Sequence, residues 1–154
     1  MSTIGGISLM INITEKKETN EKLTKEVISI TQKLRGYPIN ETFFLINDYL
    51  KATIELHDFK EDDPAFSTAY DALVCKKANC TGFINAFCLI LNELNIQYST
   101  HDAFFKHEGQ KYSYSYIKGN FDGRVHRFSP YLEKLCNQWL MPYENFINYS
   151  EIVH

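Results

Sequence analysis

The sequence predicts one α+β domain, with helices first, a buried central helix, and a C-terminal antiparallel sheet packed on it. Three observations predict this. Apolar residues recur at three- and four-residue steps between Leu23 and Ile54, the signature of helices with one buried stripe. From Cys80 to Leu94 the chain is apolar on nearly every side, as befits a helix in the middle of a domain. Beyond Asn95 the period changes to two, and glycine-containing turns separate the segments. Helices followed by a run of strands define the α+β class.

Length and composition agree with that class. A chain of 154 residues fits one domain, 1–154, and is short for two. With 44% apolar and 23% charged residues it has the composition of a globular protein rather than of a disordered one. A formal net charge of -3 argues against nucleic acid as a partner, because sequence-blind phosphate binding needs a dense basic surface. The N-terminal stretch "IGGISLMINI" is short, has no basic residues before it and reads as neither signal peptide nor membrane span, so no membrane association and a cytoplasmic location are expected. Cys75, Cys80, Cys88 and Cys136 lack paired CxxC spacing; reduced thiols are expected, with no metal site and no cofactor.

The elements follow in order. "SLMINIT" has the character of a strand. Leu23, Val27, Ile30 and Leu34 then mark a helix that Gly36 and Pro38 stop. "NETFFLINDYLKATIEL" opens a second helix with Asn40 as its N-cap and Phe43, Ile46, Leu50 and Ile54 on one side. "HDFKEDDPAF" is a polar loop, and Ser67 is placed to cap a short helix, "TAYDALV". The central helix begins at Cys80. "IQYSTHDAFFKH", "KYSYSYIK" and "RVHRFS" are three strands, joined by "EGQ" and "GNFDG"; links this short favour antiparallel pairing.

A thiol in the first turn of a helix feels the positive end of the macrodipole, which can lower its pKa from about 8.5 into a range of roughly 3.5 to 7.5. The resulting thiolate is a nucleophile, and the free N–H groups of that turn can stabilise an oxyanion. Gly82 would let a substrate backbone come close. Against this stands the general tendency of cysteines in apolar surroundings to be inert small hydrophobes. Tyr112, Tyr114 and Tyr116 alternate with Ser113 and Ser115, which places three rings on one side of a strand, either as packing or as the wall of a groove.

"STAYDALVCKKANCTGFINAFCLILNELNI" resembles the core motif of the transglutaminase-like superfamily, whose papain-like fold carries a cysteine at the start of its central helix. Cys80, Gly82 and Phe83 match the Cys-x-Gly-aromatic turn, "INDYLKATIELHDF" is similar to the preceding helix, and "NQWLMPYENF" resembles the closing strand and turn. The resemblance covers about residues 20–150. It implies a Cys80 nucleophile, with a histidine and an aspartate on successive strands. Aligning "YSYSYIKGNFDGRVHRFSP" with the family pattern puts Tyr112 at the histidine position and Ser129, before Pro130, at the aspartate position. A tyrosine is a poor base at neutral pH, and a serine does not stabilise an imidazolium as a carboxylate does.

If residues 108–111 form the hairpin loop, His107 and Tyr112 face each other, and His107 is then the candidate replacement base. A histidine beside a glycine turn is otherwise a solvated one. His101 shares its strand parity but lies further from the turn, and His126 is an alternative in another register. Asn79, Gly82 and Tyr114 are candidates to line the cleft beside Cys80. Two functions follow: a catalytically degenerate member that binds a protein or peptide, or an active cysteine hydrolase or acyltransferase using Cys80 with a relocated histidine. The missing partners favour the first, since loss of the orienting carboxylate alone lowers a serine triad by about 10⁴ in rate.

Overall fold

The computed structural model describes residues 13–57 and 65–138, with side chains from residue 17. Helix α1 (Ile13–Leu34) and helix α2 (Ile39–Thr53) come first. The four stripe residues of α1 turn inward, with Val27, Ile30 and Leu34 buried and Leu23 packed beside them. In α2, Phe43, Ile46 and Leu50 are fully buried, and Ile54 is buried just past the end as the extended C-cap. The N-cap of α2 is Pro38 rather than Asn40; its fixed extended backbone starts the helix, and Thr42 satisfies the Pro38 carbonyl with its hydroxyl at 3.0 Å. The expected strand "SLMINIT" lies outside the described residues except for Ile13 and Thr14, which are helical.

Strand β1 (Glu55–Leu56) pairs in parallel with strand β2 (Lys77–Ala78), so the segment entering Cys80 is tied to the exit of α2. Between them the expected "TAYDALV" helix is a π-helical turn, Asp71–Cys75. The helical residues leading into it, Ala69 and Tyr70, are preceded by Thr68 as the capping side chain, one residue beyond the expected Ser67. The Thr68 hydroxyl accepts from the Asp71 N–H at 3.0 Å, and the Asp71 carboxylate accepts from the Thr68 N–H at 3.2 Å, a reciprocal arrangement of capping-box type. Lys76, at φ 64°, ends the turn in the left-handed region.

Helix α3 (Cys80–Glu93) begins at the expected residue and is buried along Phe83, Ile84, Phe87, Ile90 and Leu91. It packs on a three-stranded antiparallel sheet of β3 (Ser99–His107), β4 (Gln110–Phe121) and β5 (Arg124–Phe128), in that spatial order. Both hairpins close on two residues with positive φ, Glu108 (51°) with Gly109 (81°) and Asp122 (56°) with Gly123 (71°). These are type I′ turns, whose twist matches the strands they join. Gly119 lets the Phe43 ring lie against the sheet, because a Cβ there would come within 2.7 Å of the ring. Phe43 stacks on Phe121 and Phe128, with Phe87 beside it, and this aromatic cluster joins α2, α3 and the sheet.

The chain ends its described part in helix α4 (Pro130–Gln138), a segment to which the sequence pattern assigned no element before "NQWLMPYENF". Ser129 is its cap and Pro130 its first residue, the usual start for a helix. Of "NQWLMPYENF", Asn137 and Gln138 belong to α4 and the rest lies outside the described residues. Among the described residues no helix is long and apolar enough to cross a membrane.

Candidate active site

Asn79 sets the position of Cys80. Its side chain accepts from the Gly82 N–H at 3.0 Å as the helix N-cap, and its amide donates to the Ala65 carbonyl at 3.3 Å. Gly82 is buried against this lead-in segment: a Cβ there would lie 2.7 Å from both the Ala78 Cβ and the Phe66 carbonyl oxygen. Asn79 and Gly82, two of the three expected cleft residues, are thus engaged by the chain's own lead-in segment. With no side chain at Gly82, residues 66–68 can cross the helix there.

The Cys80 sulfur rests against the edge of β4. It accepts from the Ser115 N–H at 3.3 Å and donates to the Ser115 carbonyl at 3.7 Å. The same carbonyl accepts from the Ser129 hydroxyl at 3.2 Å, and Ser129 is fully buried. Pairing between β4 and β5 ends at Ile117 with Phe128, so thiol and hydroxyl occupy the line along which β5 would have continued. On the other side, the Ser115 hydroxyl donates to the Asp102 carboxylate at 2.7 Å, its ladder partner on β3.

These surroundings reverse the expected acidity of the thiol. Desolvation is the largest influence and raises it, the Ser115 N–H opposes, and the Asp102 carboxylate adds to the rise, so the Cys80 thiol is pushed up to about 11. Part of the residue remains exposed while its sulfur is withdrawn from water. The helix terminus, an effect of about 0.3 to 1 kcal/mol in most settings, is outweighed.

The remaining sequence candidates lie elsewhere. The register pairs His107 with Gln110, and Tyr112 with Phe105, so His107 and Tyr112 do not face each other: the loop has two residues, not four. His107 sits five residues along β3 from Asp102, roughly 16 Å at about 3.3 Å per residue, with its ring 3.7 Å from the Glu108 carboxylate. Tyr112 stacks on Phe105 and donates to the Gln110 side chain at 2.9 Å. Tyr114 is buried with Phe105 and Tyr116 as neighbours, so it forms no open wall. His101 stacks on Tyr116 and meets the Ser99 hydroxyl at 2.8 Å. His126 lies flat on Phe121, with ring centroids 4.0 Å apart, and pairs with Gly119. Among the described residues no imidazole hydrogen-bonds to Cys80.

Ser115 and Asp102 were not singled out from the sequence, although they are what stands next to the cysteine. Finding them needs the strand register, and the two-residue turn at Glu108 and Gly109 fixes it.

No family model matches the chain, and no curated protein does. Among solved structures, a transglutaminase (TGase) superposes at a TM-score of 0.51 with 13% identity, over 76% of this chain and 32% of that one. A protein assigned as a cysteine protease in Cytophaga hutchinsonii follows at 0.49 and 11% identity, over 75% of this chain and 37% of that one. The fold is transglutaminase-like, with the cysteine at the head of its central helix. The chain spans about a third of the length of that transglutaminase.

Proposed function

We propose that this chain is a catalytically silent form of the transglutaminase-like fold, serving as a binding or regulatory module for a protein or peptide. The bonding of the Cys80 sulfur carries this reading. Both of its hydrogen bonds go to the Ser115 main chain, and a thiol near 11 is ionised to roughly one part in ten thousand at pH 7. A nucleophile needs a base within hydrogen-bond reach, and the position beside this sulfur carries a serine hydroxyl held by a carboxylate. Ser129, at the position where the resemblance expects the orienting aspartate, caps α4 instead. A hydroxyl there bonds one carbonyl and stabilises no imidazolium.

Site-resolved alkylation against pH tests the proposal, with the exposed Cys75 as internal reference. At pH 7 Cys80 is expected to react at least about 100-fold more slowly than an unperturbed thiol, as its thiolate fraction requires. Rapid Cys80 alkylation below pH 7, or a Cys80-dependent burst of amine from a glutamine-type amide, would restore the active cysteine hydrolase or acyltransferase reading.

A further inference from the structure

The two type I′ turns determine more than register. In a two-residue hairpin the residues flanking the turn form a hydrogen-bonded pair, and the pattern alternates from there. The turn at Glu108 and Gly109 therefore directs the main-chain groups of Gln110, Tyr112, Tyr114 and Tyr116 toward β3. The turn at Asp122 and Gly123 directs those of the odd residues toward β5. Ser115 confirms the parity, since its N–H and carbonyl meet Cys80 and Ser129 on that side. Because β5 pairs no further than Ile117, the N–H and carbonyl groups of Lys111 and Ser113 point into the space beyond its end. Both residues are exposed.

An open stretch of strand edge is a template for another extended chain. Charge indicates which kind. Lys111 and Lys106 are ladder partners, both exposed, and lie directly opposite on one face of the hairpin. Like charges so placed destabilise a sheet. Lys111 leans over the Phe104 ring at 3.8 Å, and among the described residues neither lysine has a carboxylate partner. Asp102, on the same face of β3, is bound by Ser115, and the exposed Glu108 carboxylate in the turn lies 3.7 Å from the His107 ring.

We propose that the edge of β4 at Lys111 and Ser113, unpaired among the described residues, receives an extended acidic segment of a partner protein, which pairs antiparallel to β4 and places a glutamate or aspartate beside Lys111. This rests on the binding-module reading and names its surface and the partner's chemistry. The docked segment continues the line of β5 past Cys80 and Ser129. In an antiparallel hydrogen-bonded pair the opposed residues share a face, so the acidic side chain opposite Lys111 belongs to a residue whose own main chain bonds to β4.

That identity gives a direct test with a capped eight-residue peptide of alternating glutamate and threonine, added to the intact chain. Amide hydrogen exchange at Lys111 and Ser113 is expected to slow as the peptide saturates. N-methylation of the glutamates should abolish binding, while N-methylation of the threonines should not. Lys111→Glu, at an exposed site where folding is not at issue, should weaken binding roughly two- to fivefold, as expected for a surface ion pair, and added salt should weaken the parent's binding. Unchanged exchange at millimolar peptide, or equal effects of the two methylation patterns, would overturn the proposal and leave Lys111 as a guard against edge pairing. The Cys80 alkylation result is independent: a reactive thiol with peptide bound sinks catalytic silence alone, and an inert thiol without binding sinks the edge alone.

Discussion

At Gly82 a single hydrogen atom decides whether the cysteine can stand where it does. The Ala78 Cβ and the Phe66 carbonyl oxygen both lie 2.7 Å from where a methyl would go, and a main-chain oxygen cannot swing aside as a long side chain can. Gly82→Ala is therefore expected to lower stability by about 1 to 3 kcal/mol, the range for overpacking. A urea midpoint within error of the parent would show that residues 66–68 yield easily. Gly82 and Cys80 were legible as a pair from the sequence, but the reason for the glycine was not. The segment crossing above it, residues 66–68, lies more than ten residues earlier in the chain, and no local pattern announces such a crossing.

At the scale of the element, one serine holds two structures together. Ser129 donates to Ser115 at the edge of β4 and accepts from the Leu132 N–H at 3.4 Å at the start of α4. Ser129→Ala removes the cap and leaves the part-buried Ser115 carbonyl with only the weak thiol contact, which should lower stability by about 1 to 2 kcal/mol. Chemical denaturation measures this, and no loss would mean that the cap is dispensable. Helix α3 was readable because an apolar run starts at once after a polar segment, while the Asn79 cap that fixes the boundary is seen in the structure. Helix α4 was readable in principle from Ser129 followed by Pro130, yet the alternation of the preceding strands obscured it. Strands β1 and β2, with two residues each, are too short to carry a period. The sequence pattern placed the hairpin register two residues off, because Glu108 and Gly109 make a tighter turn than the glycine alone suggests.

For the molecule as a whole, alkaline stability follows from groups held neutral or paired. Desolvation raises Cys80 and Cys136 to about 11 each, with the Asp102 and Glu133 carboxylates adding to the respective rises. Below about pH 9 these thiols are protonated both folded and unfolded; between about 9 and 11 the unfolded chain ionises first, so stability falls as pH rises. Lys51 acts in the same direction. Burial lowers its pKa, but the Glu133 carboxylate at 2.8 Å and the Asp48 carboxylate at 3.7 Å together outweigh that and leave it raised, so its contribution too is lost at high pH. Replacing Cys80 and Cys136 with alanine should flatten the decline in urea midpoint between pH 8.5 and about 10.5. An equally steep decline in the double variant would assign the effect to Lys51 and other groups.

The seating of the sulfur on Ser115 also makes it a built-in timer. An alkylating reagent needs the thiol to leave the strand edge, so the labelling rate counts excursions in which the first turn of α3 lifts from β4. If that rate is insensitive to low urea, the lifting is a small local event; if it climbs as steeply as global unfolding, helix and sheet part only when the whole domain does.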